Sequence, residues 1–200
     1  RCCEQIKVNS SYMQIKNCMI GIASGLVLGN LGYTHCCIED LSIIRSLPNI
    51  TVISPSDSLE TVKAIQAAIN HDTSTYIRIT GTSNNPIIYE KDFKFQLGKN
   101  ILMKDGKDVC LFASGAILKE ALDAAKILDK EKISTKVVNV HTIKPINSKE
   151  IIKEINNMKF IFSLEEHNIF GGLGTAISEV LTDNGSHSKL IRLGINDKYD

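Results

Sequence analysis

Short runs rich in β-branched residues alternate with amphipathic helical patterns along most of the chain. In the first half, this periodicity predicts strands over residues 16–24, 50–54 and 76–80, and helices over residues 38–47 and 58–70. Asp57 and Glu60 form a variant of the capping box at the start of the second helix. The pattern breaks over residues 81–100, which are rich in Gly, Ser, Asn, Pro and charged residues, and this break predicts a domain boundary.

The alternation restarts after residue 100. It predicts strands over residues 109–113, 136–140, 160–164 and 190–193, and helices over residues 116–130, 148–156 and 173–182. Strands separated by helices of this length build mostly parallel sheets with helices on both faces. The sequence therefore predicts an α/β fold of two three-layer domains, residues 1–92 and residues 93–200. We expect the first domain to lack its N-terminal part and the second to be truncated at its end.

Charge and composition argue against several classes of binding partner. The chain has 23 basic and 22 acidic residues, and its formal net charge of +1 gives no long-range attraction to nucleic acid or anionic lipid. No apolar run approaches the roughly 20 residues that span a bilayer, and the first residues do not resemble a secretory or transit segment. We therefore expect no nucleic-acid or membrane partner and a cytoplasmic location. The six cysteines lack zinc spacing, which favours reduced thiols and predicts no metal site in this chain.

The stretch GNLGYTHCCIEDL, residues 29–41, is the densest in candidate chemistry. It lies between a predicted strand and a predicted helix, at the sheet edge where ligands of α/β proteins usually bind. Gly29 and Gly32 allow backbone conformations that other residues avoid. We expect His35 in the first helical turn, where the helix dipole favours a neutral imidazole that can relay a proton. The alternative is a histidine that only stabilises the loop by hydrogen bonds.

The other polar residues of this stretch have simpler explanations. Glu39 and Asp40 complement the positive end of the helix dipole. Cys36 and Cys37 could form a nucleophile with His35, because a helix N-terminus lowers the pKa of a thiol. Neighbouring helix positions point about 100° apart, however, and the sequence marks no group that would orient His35. We therefore interpret both cysteines as packing residues.

Arg78 is a second candidate for chemistry. On the predicted strand over residues 76–80, its side chain faces away from the two isoleucines of that strand. A guanidinium group suits bidentate binding of phosphate, which makes Arg78 a candidate anion-binding residue. The alternative is a surface salt bridge.

A glycine cluster marks the second half, in the stretch SLEEHNIFGGLGTAISEVL. A strand leads through Gly171, Gly172 and Gly174 into a helix, as in phosphate-binding turns, but the spacing is not G-x-G-x-x-G and no P-loop lysine follows. We therefore favour close packing of the helix on the sheet. His141 and His167 stand where predicted strands end, and we expect them to stabilise the turns there.

Residues 32–61, GYTHCCIEDLSIIRSLPNITVISPSDSLET, resemble the pyrimidine-binding domain of the transketolase family, whose members carry G-x-T-H, an acidic helix, R-x-L-P-N and a P-x-D turn. HTIKPIN, residues 141–147, and EEHNIFGGLGTAISEVL, residues 165–181, are similar to the C-terminal domain of that family. These blocks stand in the order of the family and span most of the chain. The resemblance therefore implies a thiamine-diphosphate-binding domain of the pyrimidine type followed by a transketolase C-terminal domain.

This resemblance implies thiamine diphosphate as the cofactor and transfer of a two-carbon ketol unit from a ketose phosphate to an aldose. It implies that His35 is a catalytic residue near the reacting thiazolium carbon and that Arg78 binds the phosphate end of the substrate. Gly32 and Thr34 are implied to shape the loop that carries His35. In the family, the diphosphate and Mg²⁺ are held by a separate domain, so we expect the metal site in a domain or subunit outside this chain.

Two residues depart from the pattern of the family. Leu31 stands where longer transketolases and deoxyxylulose-phosphate synthases have an acid, and Cys3 stands where related sequences often have Tyr. GNLGYTH instead resembles the split form, in which the carboxyl-terminal half is a separate subunit. We therefore expect a homodimer that pairs with a diphosphate-binding N-terminal half or subunit, and no activity for these 200 residues alone. The alternatives are a 1-deoxy-D-xylulose-5-phosphate synthase, the beta subunit of a 2-oxo acid dehydrogenase, and a non-catalytic dimerisation or regulatory module of the same fold.

Overall fold

The computed structural model describes residues 2–81, 85–155 and 158–199. The chain begins with a helical turn, α1 (Cys3–Gln5), that continues as a π-helix over Ile6–Tyr12. Strands and helices of the first half then alternate in the order β1 (Cys18–Gly21), α2 (Asp40–Ser46), β2 (Ile50–Ile53), α3 (Ser58–Ile69) and β3 (Ser74–Arg78).

The second half continues the alternation and adds two short strands. Its elements are β4 (Ile101–Lys104), β5 (Val109–Ser114), α4 (Leu118–Lys130), β6 (Thr135–Asn139), β7 (Thr142–Lys144), α5 (Ser148–Glu154), β8 (Phe160–Asn168), α6 (Leu173–Asp183) and β9 (Lys189–Ile195). The helix predicted over residues 148–156 is α5, and its predicted last residue, Asn156, lies outside the described residues.

The strands form two sheets, in the orders β1-β3-β2-β7 and β4-β6-β5-β8-β9. Neighbours among β1, β3 and β2 run parallel, as do neighbours among β6, β5, β8 and β9. β7 and β4 each join antiparallel at an edge. Two α/β units with mostly parallel sheets confirm the predicted fold class, while the boundary expected between residues 92 and 93 stays a prediction.

The strand β7 belongs to the second half of the chain and yet completes the first sheet, where it pairs with β2. The sequence pattern missed β7 because three residues next to a proline are too few to establish a period. The pattern also missed β4, which begins just after the break in the pattern over residues 81–100. Both strands lie at the edge of a sheet and are only three or four residues long, too short to show a period.

Element ends differ from the prediction where the backbone departs from regular geometry. The strand predicted over residues 16–24 stops at Gly21, and Ala23 has a φ of 59°, which is incompatible with an extended strand. The helix predicted over residues 38–47 begins only at Asp40. The strand predicted over residues 160–164 instead continues to Asn168.

The two units share a hydrophobic core. Every residue of β2 and β3 is buried, as expected for central strands covered on both faces. One continuous cluster of buried side chains includes Val52 and Tyr76 of the first sheet together with Phe112 and Val138 of the second. Burial of apolar surface therefore stabilises the two sheets jointly as well as separately.

A buried carboxyl group lies where α3 meets the second sheet. Glu60 is fully buried, and its backbone N–H donates to Asp57 Oδ1 over 2.8 Å, which confirms Asp57 as the N-cap of α3. The Glu60 carboxylate accepts hydrogen bonds from the N–H and hydroxyl of Ser56 (2.7 and 2.6 Å) and from Asn139 Nδ2 of β6 (2.8 Å). Burial raises the pKa of Glu60 to about 7, against the lowering effect of these hydrogen bonds.

We expect the variant Glu60→Gln to change how stability depends on pH. The Glu60 carboxyl has a pKa of about 7 in the folded chain and 4.5 when unperturbed. Because the folded state holds this proton more tightly, the contribution of Glu60 to the free energy of unfolding is largest below pH 4.5 and declines as the pH rises through about 7. In urea unfolding of the full-length protein, the advantage of wild type over Glu60→Gln should shrink by on the order of 1 to 3 kcal/mol between about pH 4.5 and about pH 8.

The matched control for this prediction is Glu131→Gln, which removes an exposed carboxylate just after α4. The difference in unfolding free energy between wild type and Glu131→Gln should change little over the same pH range. A pH-independent difference between wild type and Glu60→Gln would contradict the expected role of the buried carboxyl.

Candidate active site

The loop over residues 22–39 joins β1 to α2 and contains two 3-10 turns, Gly29–Leu31 and Tyr33–His35. Gly32 separates the turns with φ 85° and ψ 171°, a conformation that is essentially restricted to glycine. A Cβ added to Gly32 would meet no atom within 4 Å. The requirement for glycine at this position is therefore conformational rather than steric.

We expect Gly32→Ala to cost about 1 to 3 kcal/mol in the free energy of unfolding, because alanine is strained at this φ and ψ. Gly29→Ala is a matched control in the same loop, since an added Cβ there also meets nothing within 4 Å and Gly29 has no positive φ. Urea unfolding of the full-length protein measures both, and Gly29→Ala should cost less than about 1 kcal/mol. Equal costs for the two variants would show that backbone strain at Gly32 is not the cause.

His35 ends the second 3-10 turn, and its side chain is exposed. Its Nδ1 atom lies 3.0 Å from the hydroxyl oxygen of Thr34. The prediction that His35 belongs to the first helical turn is wrong, because α2 begins at Asp40. The backbone is extended at Cys36 (φ −85°, ψ 140°), and two backbone hydrogen bonds join Cys37 to Gly25 (2.7 and 3.0 Å). The helix-dipole argument for a neutral imidazole therefore does not apply to His35.

The surroundings of His35 are open to a ligand. Thr34 is exposed as well, and a cavity of about 410 Å³ is lined by Tyr33, Thr34, Glu39 and Tyr199. An accessible imidazole beside a hydroxyl group can accept a proton from a bound molecule or donate one to it. The exposed His35–Thr34 pair on this loop is therefore a candidate for proton transfer to a ligand.

Arg78 is the last residue of β3, and its side chain is only 4 % exposed. Its Nε donates to the Asp40 carboxylate at 2.9 and 3.0 Å, and its Nη2 donates to the carbonyl oxygens of Cys37 (3.1 Å) and Glu166 (2.9 Å). The alternative of a surface salt bridge is therefore wrong, because the ion pair is buried. The contact of Arg78 with a substrate phosphate stays a prediction.

Asp40 has a role that the sequence reasoning missed. It begins α2, as expected of a residue that complements the helix dipole, but its carboxylate is 8 % exposed and accepts from both Arg78 and the hydroxyl of Tyr76 (2.8 Å). Burial, followed by the charge of Asp40, raises the pKa of Tyr76 far above its usual range, so the phenol stays a donor. The alternation of the strand predicts that Tyr76 and Arg78 share one face, but nothing in the sequence pattern indicates that Asp40 lies opposite them.

The adjacent cysteines are half-buried free thiols. Burial and then the charge of Asp40 raise the pKa of Cys37 to about 11, so this thiol stays protonated near pH 7 and is a poor nucleophile. The Sγ atom of Cys36 points to the carbonyl oxygen of Gly32 at 3.7 Å. Both observations support the interpretation of these cysteines as packing residues.

The glycine cluster before α6 holds a carboxylate of the chain itself. Glu165 accepts hydrogen bonds from the backbone N–H groups of Leu173 (2.6 Å) and Gly174 (2.9 Å) at the start of α6. Burial raises the pKa of Glu165 to about 7 against these two bonds. A Cβ added to Gly174 would lie 2.7 Å from the hydroxyl of Ser163. The cluster therefore allows close packing of α6 on the sheet, as the sequence favoured.

The two histidines at strand ends are fully buried. His167 Nδ1 donates to the carbonyl oxygen of Asn168 over 2.7 Å, which leaves Nε2 to accept from the backbone N–H of Ser42 at 3.4 Å. His141 stacks on Phe95 with ring centroids 4.3 Å apart, and burial lowers its pKa to about 4. Both residues stabilise the surrounding structure and are not accessible to a ligand.

Metal ligands do not cluster in the part of the chain that the structure describes. Within residues 2–81, 85–155 and 158–199, no three His, Cys, Asp or Glu side chains are placed to hold a metal ion. The buried carboxylates of Asp40 and Glu165 instead accept hydrogen bonds from Arg78 and from backbone N–H groups.

No helix in the same three segments combines the length and apolar character needed to cross a bilayer.

Two family models match this chain. The model of the transketolase pyrimidine binding domain matches residues 1–85, and the model of the transketolase C-terminal domain matches residues 98–199. The chain belongs to the transketolase family. The His35 loop and Arg78 fall in the first of these transketolase matches, and Glu165 falls in the second.

The chain matches only part of the length of its curated relatives. One subunit of the apulose-4-phosphate transketolase of Actinobacillus succinogenes is 35 % identical over 97 % of this chain, which spans 62 % of that protein. A 1-deoxy-D-xylulose-5-phosphate synthase of Halothermothrix orenii is 35 % identical over 86 % of the chain and 28 % of its own length. The chain therefore corresponds to a section of each of these transketolase relatives.

A solved structure shares the fold of the whole chain. It is described as a split gene transketolase, inactive β4 tetramer, and it is 31 % identical with a TM-score of 0.89 over 98 % of this chain and 63 % of that one. This similarity confirms the prediction of a pyrimidine-binding domain followed by a transketolase C-terminal domain.

Proposed function

We propose that this chain is the carboxyl-terminal portion of a transketolase that transfers a two-carbon ketol unit from a ketose phosphate to an aldose. The observation that carries the proposal is the exposed His35–Thr34 pair, 3.0 Å apart, on a loop that falls within the match to the pyrimidine binding domain. The relative that is one subunit of an apulose-4-phosphate transketolase supports the two-subunit form.

The proposed cofactor is thiamine diphosphate, which supplies the electron sink for breaking and forming the carbon–carbon bond when it is bound. The exposed imidazole and hydroxyl of His35 and Thr34 suit the reacting end of this cofactor and its substrate. Mg²⁺ prefers carboxylate and water oxygens, and the described segments contain no metal-binding cluster. We therefore assign the diphosphate and Mg²⁺ to an N-terminal half or partner subunit.

Each site residue has a proposed role. Thr34 holds Nδ1 of His35, and we assign Nε2 to proton transfer with a substrate hydroxyl. Gly32 supplies the backbone turn that presents this pair. Arg78 is proposed to bind the phosphate end of the substrate, with its Nε held by Asp40 and its Nη2 held by the carbonyl oxygens of Cys37 and Glu166.

The proposed assembly is a homodimer, formed through both domains, that pairs with the diphosphate-binding half or subunit. Exposed apolar side chains in and near β1 support the proposal that another subunit covers this surface. Tyr12, Ile20 and Ile22 are 82, 48 and 69 % exposed. The similar split gene transketolase is described as an inactive β4 tetramer, which supports the proposal that this part alone is inactive. We propose a cytoplasmic location, which the six free thiols support.

Reconstitution tests the proposed function. The intact polypeptide is mixed with a diphosphate-binding subunit, thiamine diphosphate and Mg²⁺, and ketol transfer is followed with a panel of ketose phosphates and aldoses. Turnover should require both polypeptides and the cofactor. The absence of turnover with every sugar of the panel, in a complex that has formed, would overturn the proposal.

A 1-deoxy-D-xylulose-5-phosphate synthase is the second candidate, favoured by the similarity to the Halothermothrix orenii enzyme. Leu31, in the Gly29–Leu31 turn of the His35 loop, argues against this candidate because those synthases carry an acid before their G-x-T-H motif. The same complex is therefore also supplied with pyruvate and an aldose phosphate. Release of CO₂ with a pyruvate-derived product, without ketol transfer between sugars, would favour the synthase.

A further inference from the structure

The segment that follows β9 returns to the loop that carries His35. The ring of Tyr199 packs edge-on against the ring of Tyr33, with centroids 5.4 Å apart and planes at 67°. The hydroxyl of Tyr199 donates to Glu39 Oε1 over 3.0 Å. Tyr33 and Glu39 stand on either side of His35 in the chain, so one side chain of the second half contacts both ends of the segment that contains the histidine.

The rest of this segment is held mainly by itself. Among the described residues, the backbone N–H groups of segment 29–36 that make hydrogen bonds all donate to carbonyls within segment 26–33. The side-chain contact of His35 is equally local, because its partner is Thr34. The hydrogen bonds of 3-10 turns have poorer geometry than those of an α-helix, and such turns occur in short pieces. The segment therefore needs outside contacts to keep one conformation.

The end of the loop next to α2 is better fixed than the His35 segment. Ile38 is buried, and its carbonyl oxygen accepts from the backbone N–H of Asn168 in β8 over 2.8 Å. Glu39 Oε2 accepts from the backbone N–H of Ile38 at 3.2 Å, which orients the carboxylate toward Tyr199. Tyr199 thus links the self-contained turn of Tyr33 to an anchored point of the fold.

We propose that Tyr199 is a positioning residue that holds the His35 loop in its active conformation. The inference rests on the proposed role of His35, and it assigns to the second domain a direct part in shaping the site. Tyr199 acts through two contacts of different kinds, the ring contact with Tyr33 and the hydrogen bond to Glu39. It does not touch the imidazole in any contact that the structure describes, so it is not assigned a catalytic step.

Two substitutions separate these contacts. Tyr199→Phe keeps the ring and removes the hydrogen bond to Glu39, whereas Tyr199→Ala removes both contacts. Because Tyr199 is 71 % exposed, neither substitution opens a cavity in the core. Lys189→Ala, at an exposed position at the start of β9, is the control for an unrelated change in the same domain.

The first measurement is backbone amide hydrogen exchange in the full-length protein within its reconstituted complex, without substrate. Tyr199→Ala should speed exchange of the His35 and Cys36 amides, which bond to Gly32 and Tyr33, by about tenfold, and Tyr199→Phe by less. Lys189→Ala should leave their exchange unchanged. Unchanged exchange in Tyr199→Ala would overturn the inference, whatever the activity of the complex.

The second measurement is steady-state kinetics in the same complex. Tyr199→Ala should lower kcat by about tenfold with KM for the ketose phosphate within about twofold, because a misplaced catalytic group slows the reaction more than it weakens binding. Tyr199→Phe should recover part of the loss. Faster amide exchange in the loop with unchanged kcat would overturn the positioning role of Tyr199. A wild-type complex without turnover would instead count against the proposed function, and the exchange measurement would then test the role of Tyr199 by itself.

Discussion

Replacing His35 with alanine should lower kcat for ketol transfer by about 10² to 10⁴-fold in the reconstituted complex, the range expected for loss of a positioned general acid or base. The side chain is exposed and its contact in the structure is with neighbouring Thr34, so the substitution leaves the core intact. Steady-state kinetics with a ketose phosphate and an aldose measure the effect. Unfolding by urea should show that stability changes by less than about 0.5 kcal/mol.

Two further variants make this prediction specific. Thr34→Val removes the hydroxyl beside His35 Nδ1 and should cause a smaller loss of kcat, because the imidazole remains but is less well oriented. His187→Ala removes another exposed histidine, in the turn before β9, and should leave kcat near that of wild type. Unaltered turnover of His35→Ala would contradict a catalytic role and favour a non-catalytic module of the same fold.

The largest effect on stability is expected from Asp40→Ala, which should lower the free energy of unfolding by about 3 to 5 kcal/mol near neutral pH. Asp40 and Arg78 form an ion pair in which the side chains are 8 % and 4 % exposed, and removing the acid leaves a buried guanidinium without its counter-ion. Tyr76 loses its acceptor at the same time. Urea unfolding of the full-length protein provides the measurement.

A more exposed ion pair, in which the side chains of Arg45 and Glu179 are 17 % and 52 % exposed, serves as the control for Asp40→Ala. Arg45 contacts both carboxylate oxygens of Glu179 at 2.7 Å, and Glu179 is about half exposed. Glu179→Ala should therefore cost less than about 1 kcal/mol. The double variant Asp40→Ala/Arg78→Ala should cost less than the sum of its single variants, because they share one interaction. Equal losses of unfolding free energy in Asp40→Ala and Glu179→Ala would show that burial of the ion pair does not determine the size of the effect.

The parts of the fold that followed from sequence are those that local periodicity and capping determine. The helix α3 was predicted to start after Asp57, and the Asp57 carboxylate accepts the N–H of Glu60 as its N-cap. The central strands β2 and β5 lie within about a residue of their predicted positions, because fully buried parallel strands read as continuous apolar runs. The edge strands β4 and β7 lack such runs, and no local pattern predicted them.

For the candidate site, too, the sequence predicts local features and misses the contacts between distant residues. His35 and Arg78 could be found from residue type and from resemblance, because their motifs are local. The partners that fix their surroundings lie far away in sequence: Asp40 is 38 residues from Arg78, and Tyr199 is 160 residues from Glu39. α2 also begins later than the helical pattern indicates, because Cys37 pairs with Gly25 in a bridge that this pattern does not reveal. These contacts arise from tertiary packing, which a single sequence does not encode in its periodicity.

The pairing of β7 with β2 has a consequence for how this protein can be taken apart or recombined. A polypeptide cut in the connection between the two sheets would carry only three strands of its first sheet and would expose β2 as a free edge, a template for intermolecular association. Modular exchange of either half with that of a related protein would therefore have to carry β7 along with the sheet it completes. We therefore expect the two halves of this chain to be exchanged only together, although the break in pattern over residues 81–100 looks like a place to divide them.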